Sequence, residues 1–377
     1  MMKTIGIRTL FLFVVGFILT LPFDFTLIPP TGNWFKPTIE KGVQSLFSSP
    51  DLFYYSDSFV MLIWAGILLV CSIIISFSWT IIVRQKPGPN LHYWLDRIAV
   101  YYLALILLIY GFNKIFLFQF YIPEPNTLFT PLGQLTPDIL YWSSMGSSST
   151  YSIFAGLLEL IPALLLFFRK TRLLAAFIAF GVLINVTFIN WGFGITVKTF
   201  SFFLLLLTTI IIVPFLNRLR TAFFGDGTVA PPIEIKKPSH ALYTKTAPYL
   251  RVLVILFLLT ESLIPYMRMG NFNGYKQAKP TLFGAYEVHD NPNHVKRIFF
   301  HSAAYFILQT DEDEFFDYPM KWNGSQLELV NYEQDTTRLE LITENDSTYQ
   351  LIGDFYGTRV NWQMKELDLE TLPFFNP

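Results

Sequence analysis

One cysteine, Cys71, stands among 377 residues, so a disulfide framework or a thiolate metal cage cannot form within one chain. It lies in an apolar run and is expected as a core thiol. Charge is also scarce, at 15% of residues against about 25% in a soluble domain. A basic stripe interleaved with exposed aromatics is missing, which argues against nucleic acid as a partner. No nucleophile elbow, phosphate loop or dinucleotide fingerprint occurs. His289, His294 and His301 are spaced unlike any standard metal pattern, so they are expected as solvated or core residues, and no metal site is expected. Internal repeats and low-complexity tracts are absent. No small-x-small cleavage site follows the apolar run Leu10 to Leu21 behind Lys3 and Arg8, so an uncleaved first helix is expected.

What the chain does have is apolar length. It is 52% hydrophobic and 18% aromatic, with a mean hydropathy of +0.42. Seven runs are long enough for a hydrocarbon slab about 30 Å thick. They cover Ile5 to Phe23, Phe59 to Val83, Ile98 to Phe120, Tyr151 to Phe168, Leu173 to Trp191, Val197 to Leu216 and Leu250 to Met267. The lipid bilayer is thus the expected solvent for most of the chain. Lys and Arg collect on alternate sides of these runs, 14 on one side against 4 on the other up to Met267. The positive-inside rule then places the N-terminus in the cytoplasm and the C-terminus outside an inner (plasma) membrane.

Two connections on the outer side, Asp24 to Ser58 and Tyr121 to Thr150, are rich in Pro, Gly, Ser and aromatics and are expected as partly ordered caps. The stretch Phe223 to Pro248, with Pro231, Pro232 and Pro238, reads as a flexible cytoplasmic linker. From Arg268 onward the balance turns acidic, with 9 basic and 17 acidic residues. There the pattern changes to short alternating segments: Lys296 to Leu308, Leu327 to Val330, Arg338 to Ile342, Tyr349 to Ile352 and Arg359 to Met364. Asn323-Gly324 and Asn345-Asp346 supply hairpin turn residues. The expected architecture is mainly α, a polytopic membrane helix bundle, with a small antiparallel β sandwich or barrel-like domain appended. Its divisions are 1–96, two spans and an outer loop; 97–220, four spans; 221–249, the linker; 250–267, the seventh span; and 268–377, an extracytoplasmic β-rich domain.

A polar side chain inside a membrane is expensive unless it faces the bundle interior and finds a partner. Tyr110, Asn113 and Lys114 share one face of the third span by their spacing. Ser152, Ala155, Gly156, Glu159 and Ala163 form a stripe of small or polar residues on the fourth, suited to close packing around a buried carboxylate. Pro162, three residues on, removes one backbone donor. The fifth span carries Asn185 and Asn190, and the sixth opens with Lys198 and Ser201. At about 1.5 Å per residue, Glu159 lies about 12 Å below the outer end of its helix, and Asn185 and Lys114 roughly 9 Å below theirs. These residues suggest an outer-half polar pocket in which Lys114 or Lys198 compensates Glu159. The competing reading is a Glu–Lys pair that only fixes helix packing, with Lys198 snorkelling to the interface. Glu261, isolated near a helix end, is expected to be interfacial, and Asp311 to Glu314 to be a solvated turn.

The ordered motifs in the third to sixth spans resemble the DoxX-like membrane protein family. They are Tyr110-Gly111-Phe112-Asn113-Lys114, Phe118-Gln119-Phe120, Met145-Gly146-Ser147-Ser148 with Tyr151, Phe154, Gly156 and Glu159, Phe168-Arg169-Lys170-Thr171, Gly181 with Asn185, Asn190, and Val197-Lys198 with Ser201. The likeness covers about Arg97 to Arg220 and is nearest to longer members with extra N-terminal helices and a C-terminal domain. It implies a four-helix module whose Lys, Glu, Asn and Lys correspond to Lys114, Glu159, Asn185 and Lys198. Where that family has an aromatic-Asp-Val-Pro turn, this chain has Gly192-Phe193-Gly194-Ile195-Thr196, and Val100 replaces an early arginine. Some relatives resemble subunits linked to quinone or sulfur-compound oxidation, and more distant ones resemble cargo receptors.

Two functions are therefore expected. The first is a redox-associated subunit that binds a quinone headgroup or small anion in the pocket; the chain offers no metal or flavin motif, so an electron-transfer partner is required. The second is a non-enzymatic envelope scaffold or receptor whose β domain binds a protein or lipid. Transport ranks last, because paired broken helices are lacking.

Overall fold

A computed structural model describes residues 2–29, 31–83, 89–225, 241–289, 294–345 and 347–375. The chain divides into two compact units, and the division is not linear. One comprises Met1–Gln119 with Ile153–Phe272, the other Phe120–Ser152 with Asn273–Pro377. The stretch expected as a second cap on the bundle thus clusters with the β domain.

The helices are α1 (Met2–Thr20), α2 (Thr31–Phe47), α3 (Phe59–Val83), α4 (Pro89–Ile115), α5 (Pro125–Leu128), α6 (Pro137–Gly146), α7 (Ser149–Leu166), α8 (Arg172–Gly192), α9 (Lys198–Ile212), α10 (Leu216–Phe224) and α11 (Ala241–Met269). Among the described residues seven helical stretches are long and apolar enough to cross a membrane. Their outward faces are apolar: α3 exposes Leu69, Ile73, Ile74 and Phe77 while burying Ser72 and Ser76. Cys71 is exposed on α3, not a core thiol. An apolar run cannot show which of its faces looks inward when both inside and outside are apolar.

Helix α4 is the central element, with Leu103, Ala104, Ile106 and Leu108 fully enclosed. It starts well before Ile98, because Asp96 and Arg97 pair with each other inside the bundle and do not end the helix. The first expected cap is more ordered than anticipated. It contains α2, whose Glu40 carboxylate accepts the Tyr54 backbone N–H at 2.7 Å, and the Tyr54 hydroxyl donates to the Thr20 carbonyl at 2.7 Å. At the expected linker, Phe223 and Phe224 end α10 and residues 241–248 begin α11. Residues 226–240 lie outside the described residues.

The β domain is a closed barrel, which decides between sandwich and barrel. Strands β1 (Gly284–His289), β2 (Val295–His301), β3 (Tyr305–Thr310), β4 (Phe315–Asn323), β5 (Gln326–Val330), β6 (Thr336–Asn345), β7 (Thr348–Phe355) and β8 (Thr358–Leu367) pair antiparallel in sequence order. β8 returns to β1, as in Val288 opposite Met364, so the sheet has no free edge. The segment Lys296 to Leu308 is a hairpin, β2 and β3 turning over Ser302–Ala304, with Ala304 at φ 58°. Asn323 pairs with Gln326 around Gly324, at φ +67°, as the turn residues anticipate. Asn345 pairs with Thr348; Asp346 lies outside the described residues.

Strands β1 and β4 were not foreseen. β4 hides behind Pro319, which lacks an N–H to donate. It sits where β4 stops pairing with β3, opposite Tyr305, and Met320 begins pairing with β5, opposite Leu329. Inward residues fill the barrel, among them Tyr286, Ile298, Phe300, Phe306, Leu327, Leu351, Trp362 and Met364. Segment 120–152 packs on its outside. Phe129 lies 5.8 Å from the Phe299 ring and 4.7 Å from the Arg297 guanidinium, and Glu124 accepts from the Ser302 hydroxyl at 2.5 Å.

Candidate functional site

The site begins where the backbones of two helices approach closely at glycines. A Cβ on Gly156 of α7 would lie 2.7 Å from the Gly111 carbonyl oxygen and 3.0 Å from the Ile115 nitrogen of α4. Only glycine permits that approach. Three residues further along each chain, on the same helical face, stand Lys114 and Glu159. The Lys114 ammonium donates to Glu159 Oε1 at 2.5 Å, with the two residues only 5% and 3% exposed. The buried stripe of α7, Ser152, Gly156, Glu159, Pro162 and Ala163, matches the expected one save for half-buried Ala155.

Beside the pair stands Tyr110, with the Lys114 ammonium 5.9 Å from its ring centre. Asn113 turns to another neighbour, its Oδ1 accepting from the Tyr266 hydroxyl of α11 at 2.6 Å. Glu159 Oε2 is buried and has no hydrogen-bond partner among the described residues. A carboxylate oxygen accepts hydrogen bonds readily, and one buried without them carries a desolvation cost of about 1–3 kcal/mol or more.

The remaining expected residues do not join this cluster. Lys198 does not compensate Glu159: among the described residues its ammonium forms no ion pair. Its backbone N–H donates to Asp57 Oδ2 at 2.6 Å, and that of Thr199 to Asp57 Oδ1 at 2.8 Å. Asp57 thus satisfies the orphan donors that open α9, where the helix dipole favours negative charge. Ser201 is buried and donates back to the Lys198 carbonyl at 2.8 Å. Asn185 is exposed on α8, on the side opposite the buried Leu183, Thr187 and Asn190. Asn190 is buried, and its Nδ2 has no partner among the described residues.

Two further polar constellations escaped the sequence reading. Glu261 is not interfacial but buried: its Oε2 accepts from the backbone N–H groups of Leu27 at 2.7 Å and Ile28 at 3.2 Å, and Thr26 donates to its Oε1. Three successive amides after α1 form a concave anion nest. The signal was faint, because nothing in the loop sequence identifies its backbone as a donor set. The second is Asp96, Arg97 and Arg172. Arg97 and Arg172 are among the basic residues at the ends of the apolar runs, yet both are buried with Asp96 between them. An Asp-Arg dipeptide ahead of an apolar run was the available clue.

Outside the spans, Asp313 is the best-defined ionised group of the barrel. The Lys296 ammonium hydrogen-bonds it at 2.9 Å and holds its carboxyl below the usual range, with Gln309 Nε2 donating as well at 2.9 Å. The Asp311 to Glu314 run therefore includes a carboxylate with fixed partners.

No family model matches the chain, and no solved structure matches it. The DoxX-like resemblance accordingly rests on the motif series alone. Among curated proteins the chain is similar to "Uncharacterized protein YwoB" of Bacillus subtilis (strain 168), with 28% identity over 120 residues, 29% of this chain and 70% of that protein.

Proposed function

We propose that the helical unit binds the headgroup of a small hydroxyl-bearing ligand, of the hydroquinone class, at the Lys114–Glu159 pair. The observation that carries this reading is Glu159 Oε2, buried and unmatched by a donor among the described residues. Lys114 supplies the opposite charge at 2.5 Å from Oε1. The open oxygen then accepts a ring hydroxyl, and Tyr110 offers an aromatic face alongside. Bound there, the hydroxyl stands next to a base able to take its proton. In this proposal a separate redox protein accepts the electrons, as the likeness to DoxX-like subunits suggests. The uneven distribution of Lys and Arg supports an inner-membrane setting, with the N-terminus cytoplasmic and the barrel outside.

The test is a titration of the full-length protein in lipid nanodiscs with a short-chain hydroquinone. Wild type is expected to bind. The double variant Lys114→Met with Glu159→Leu, which leaves no buried charge behind, is expected to lose affinity about tenfold or more. A hydroquinone that fails to bind, or binds both proteins equally, overturns the reading.

One feature favours a second reading, that of a scaffold or receptor. The barrel is closed and its interior holds side chains, so the partners it serves would meet its outer surface. Co-purification from membranes with and without residues 276–377 separates the two, since an unchanged set of partners counts against the scaffold.

A further inference from the structure

We infer that Asp96, Arg97 and Arg172 form a binding site for a phosphate-bearing anion at one end of the helical unit. The three residues are 5%, 6% and 7% exposed, which is rare for ionised side chains unless they are fully paired. Here the pairing is incomplete. One carboxylate serves two guanidiniums: Asp96 Oδ2 lies 2.5 Å from Arg97 Nη2 and 3.5 Å from Arg172 Nη1. Among the described residues the cluster therefore carries one positive charge without a carboxylate to match it. Burial of such a charge costs several kcal/mol unless a counter-ion meets it.

The donors point to the same deficit. Arg97 Nε is buried and without a hydrogen-bond partner among the described residues. Arg172 donates from Nε only to the Leu166 carbonyl, at a long 3.3 Å. Each guanidinium is a planar fork whose spacing matches two oxygens of a phosphate. Arg172 is also the first residue of α8, so the amides that open this helix and its dipole add positive potential. Arg169 and Lys170, just before it, are exposed and extend the same charge outward.

Depth selects the class of ligand. Arg172 stands at the end of its span, and Asp96 and Arg97 lie within the second turn of the span beginning at Asn90. That is the level of lipid headgroups, where basic clusters between helices take phosphates of anionic lipids. The shared chemistry is a phosphate oxyanion, whether it comes from a phospholipid headgroup or from free phosphate.

The experiment uses the full-length protein in detergent micelles, titrated with phosphatidylglycerol, phosphatidylcholine and sodium phosphate, and read by native mass spectrometry and thermal unfolding. Wild type is expected to retain phosphatidylglycerol and gain thermal stability from it, with affinity falling about tenfold or more in Arg97→Gln. Retention of phosphatidylglycerol alone identifies the lipid as the source; saturation by sodium phosphate identifies free phosphate. If neither anion binds, or phosphatidylcholine binds equally well, the inference fails. If Arg97→Gln does not fold, the exposed pair Arg169→Gln with Lys170→Gln is read in its place. Unchanged affinity for phosphatidylglycerol in that variant overturns the site.

Discussion

Helix α3 turns large apolar side chains outward, and strand β8 turns them inward. In α3 the serines 72 and 76 face inward while Leu69, Ile73, Ile74 and Phe77 are exposed. In β8 Val360, Trp362 and Met364 face inward while Asn361, Gln363 and Lys365 are exposed. The ion pairs divide in the same way. The helical unit puts its ion pairs, Lys114–Glu159 and Asp96 with Arg97, in its interior, and the barrel keeps Lys296–Asp313 on its surface. The difference lies in the surroundings each surface must satisfy. Hydrocarbon gives no hydrophobic drive between helices, so close packing at glycines and internal polar contacts hold them together. Water drives the barrel to sequester its aromatics.

The largest expected effect breaks the polar interior. Lys114→Ala leaves a carboxylate buried without its cation and is expected to cost about 3–5 kcal/mol. Adding Glu159→Leu to Lys114→Met should recover most of that loss, measured by unfolding in mixed detergent micelles. A single variant as stable as wild type would mean that the pair holds nothing together. Next in size is a matched truncation in the two units. Leu351→Ala inside the barrel should cost about 2–5 kcal/mol, and Ile74→Ala on the exposed face of α3 no more than about 0.5 kcal/mol. Equal losses would show that the α3 face is covered by something other than lipid.

The smallest effect concerns acid. Because the Asp313 carboxyl is held below its ordinary range by Lys296, its contribution is present above the unfolded pKa, near 3.9. It is lost as pH falls through the lower folded value. Asp313→Asn should flatten the acid limb of the barrel's stability profile, followed by tryptophan fluorescence, by lowering stability slightly at neutral pH and leaving it nearly unchanged below the folded value. A steeper limb in the variant would reverse the sign assigned here.

Much of this was legible without coordinates. Runs of apolar residues long enough for a bilayer identified seven spans, because length and composition are local properties. Alternation in Arg359 to Met364 and the turn at Gly324 identified strands for the same reason. Glu159 and Lys114 could be named as candidates from the cost of burying them. β4 was hidden because its proline belongs to a handover between two neighbours, which no window along the chain contains. Asn185 and Cys71 were misplaced because, in an apolar helix, hydropathy does not separate the inner from the outer face.

The order of residues along the chain therefore determined what each segment is: how long, how apolar, helix or strand, and which side chains are too costly to leave alone. The tertiary structure decided which of them meet. Lys114 and not Lys198 reaches Glu159, beside the close approach of α4 and α7 at Gly111 and Gly156. Asp57 takes the amides at α9, Glu261 takes those after α1, and β8 closes on β1. Such pairings depend on the simultaneous packing of segments far apart in the chain, and the separate periodicity of each segment carries no record of its partner.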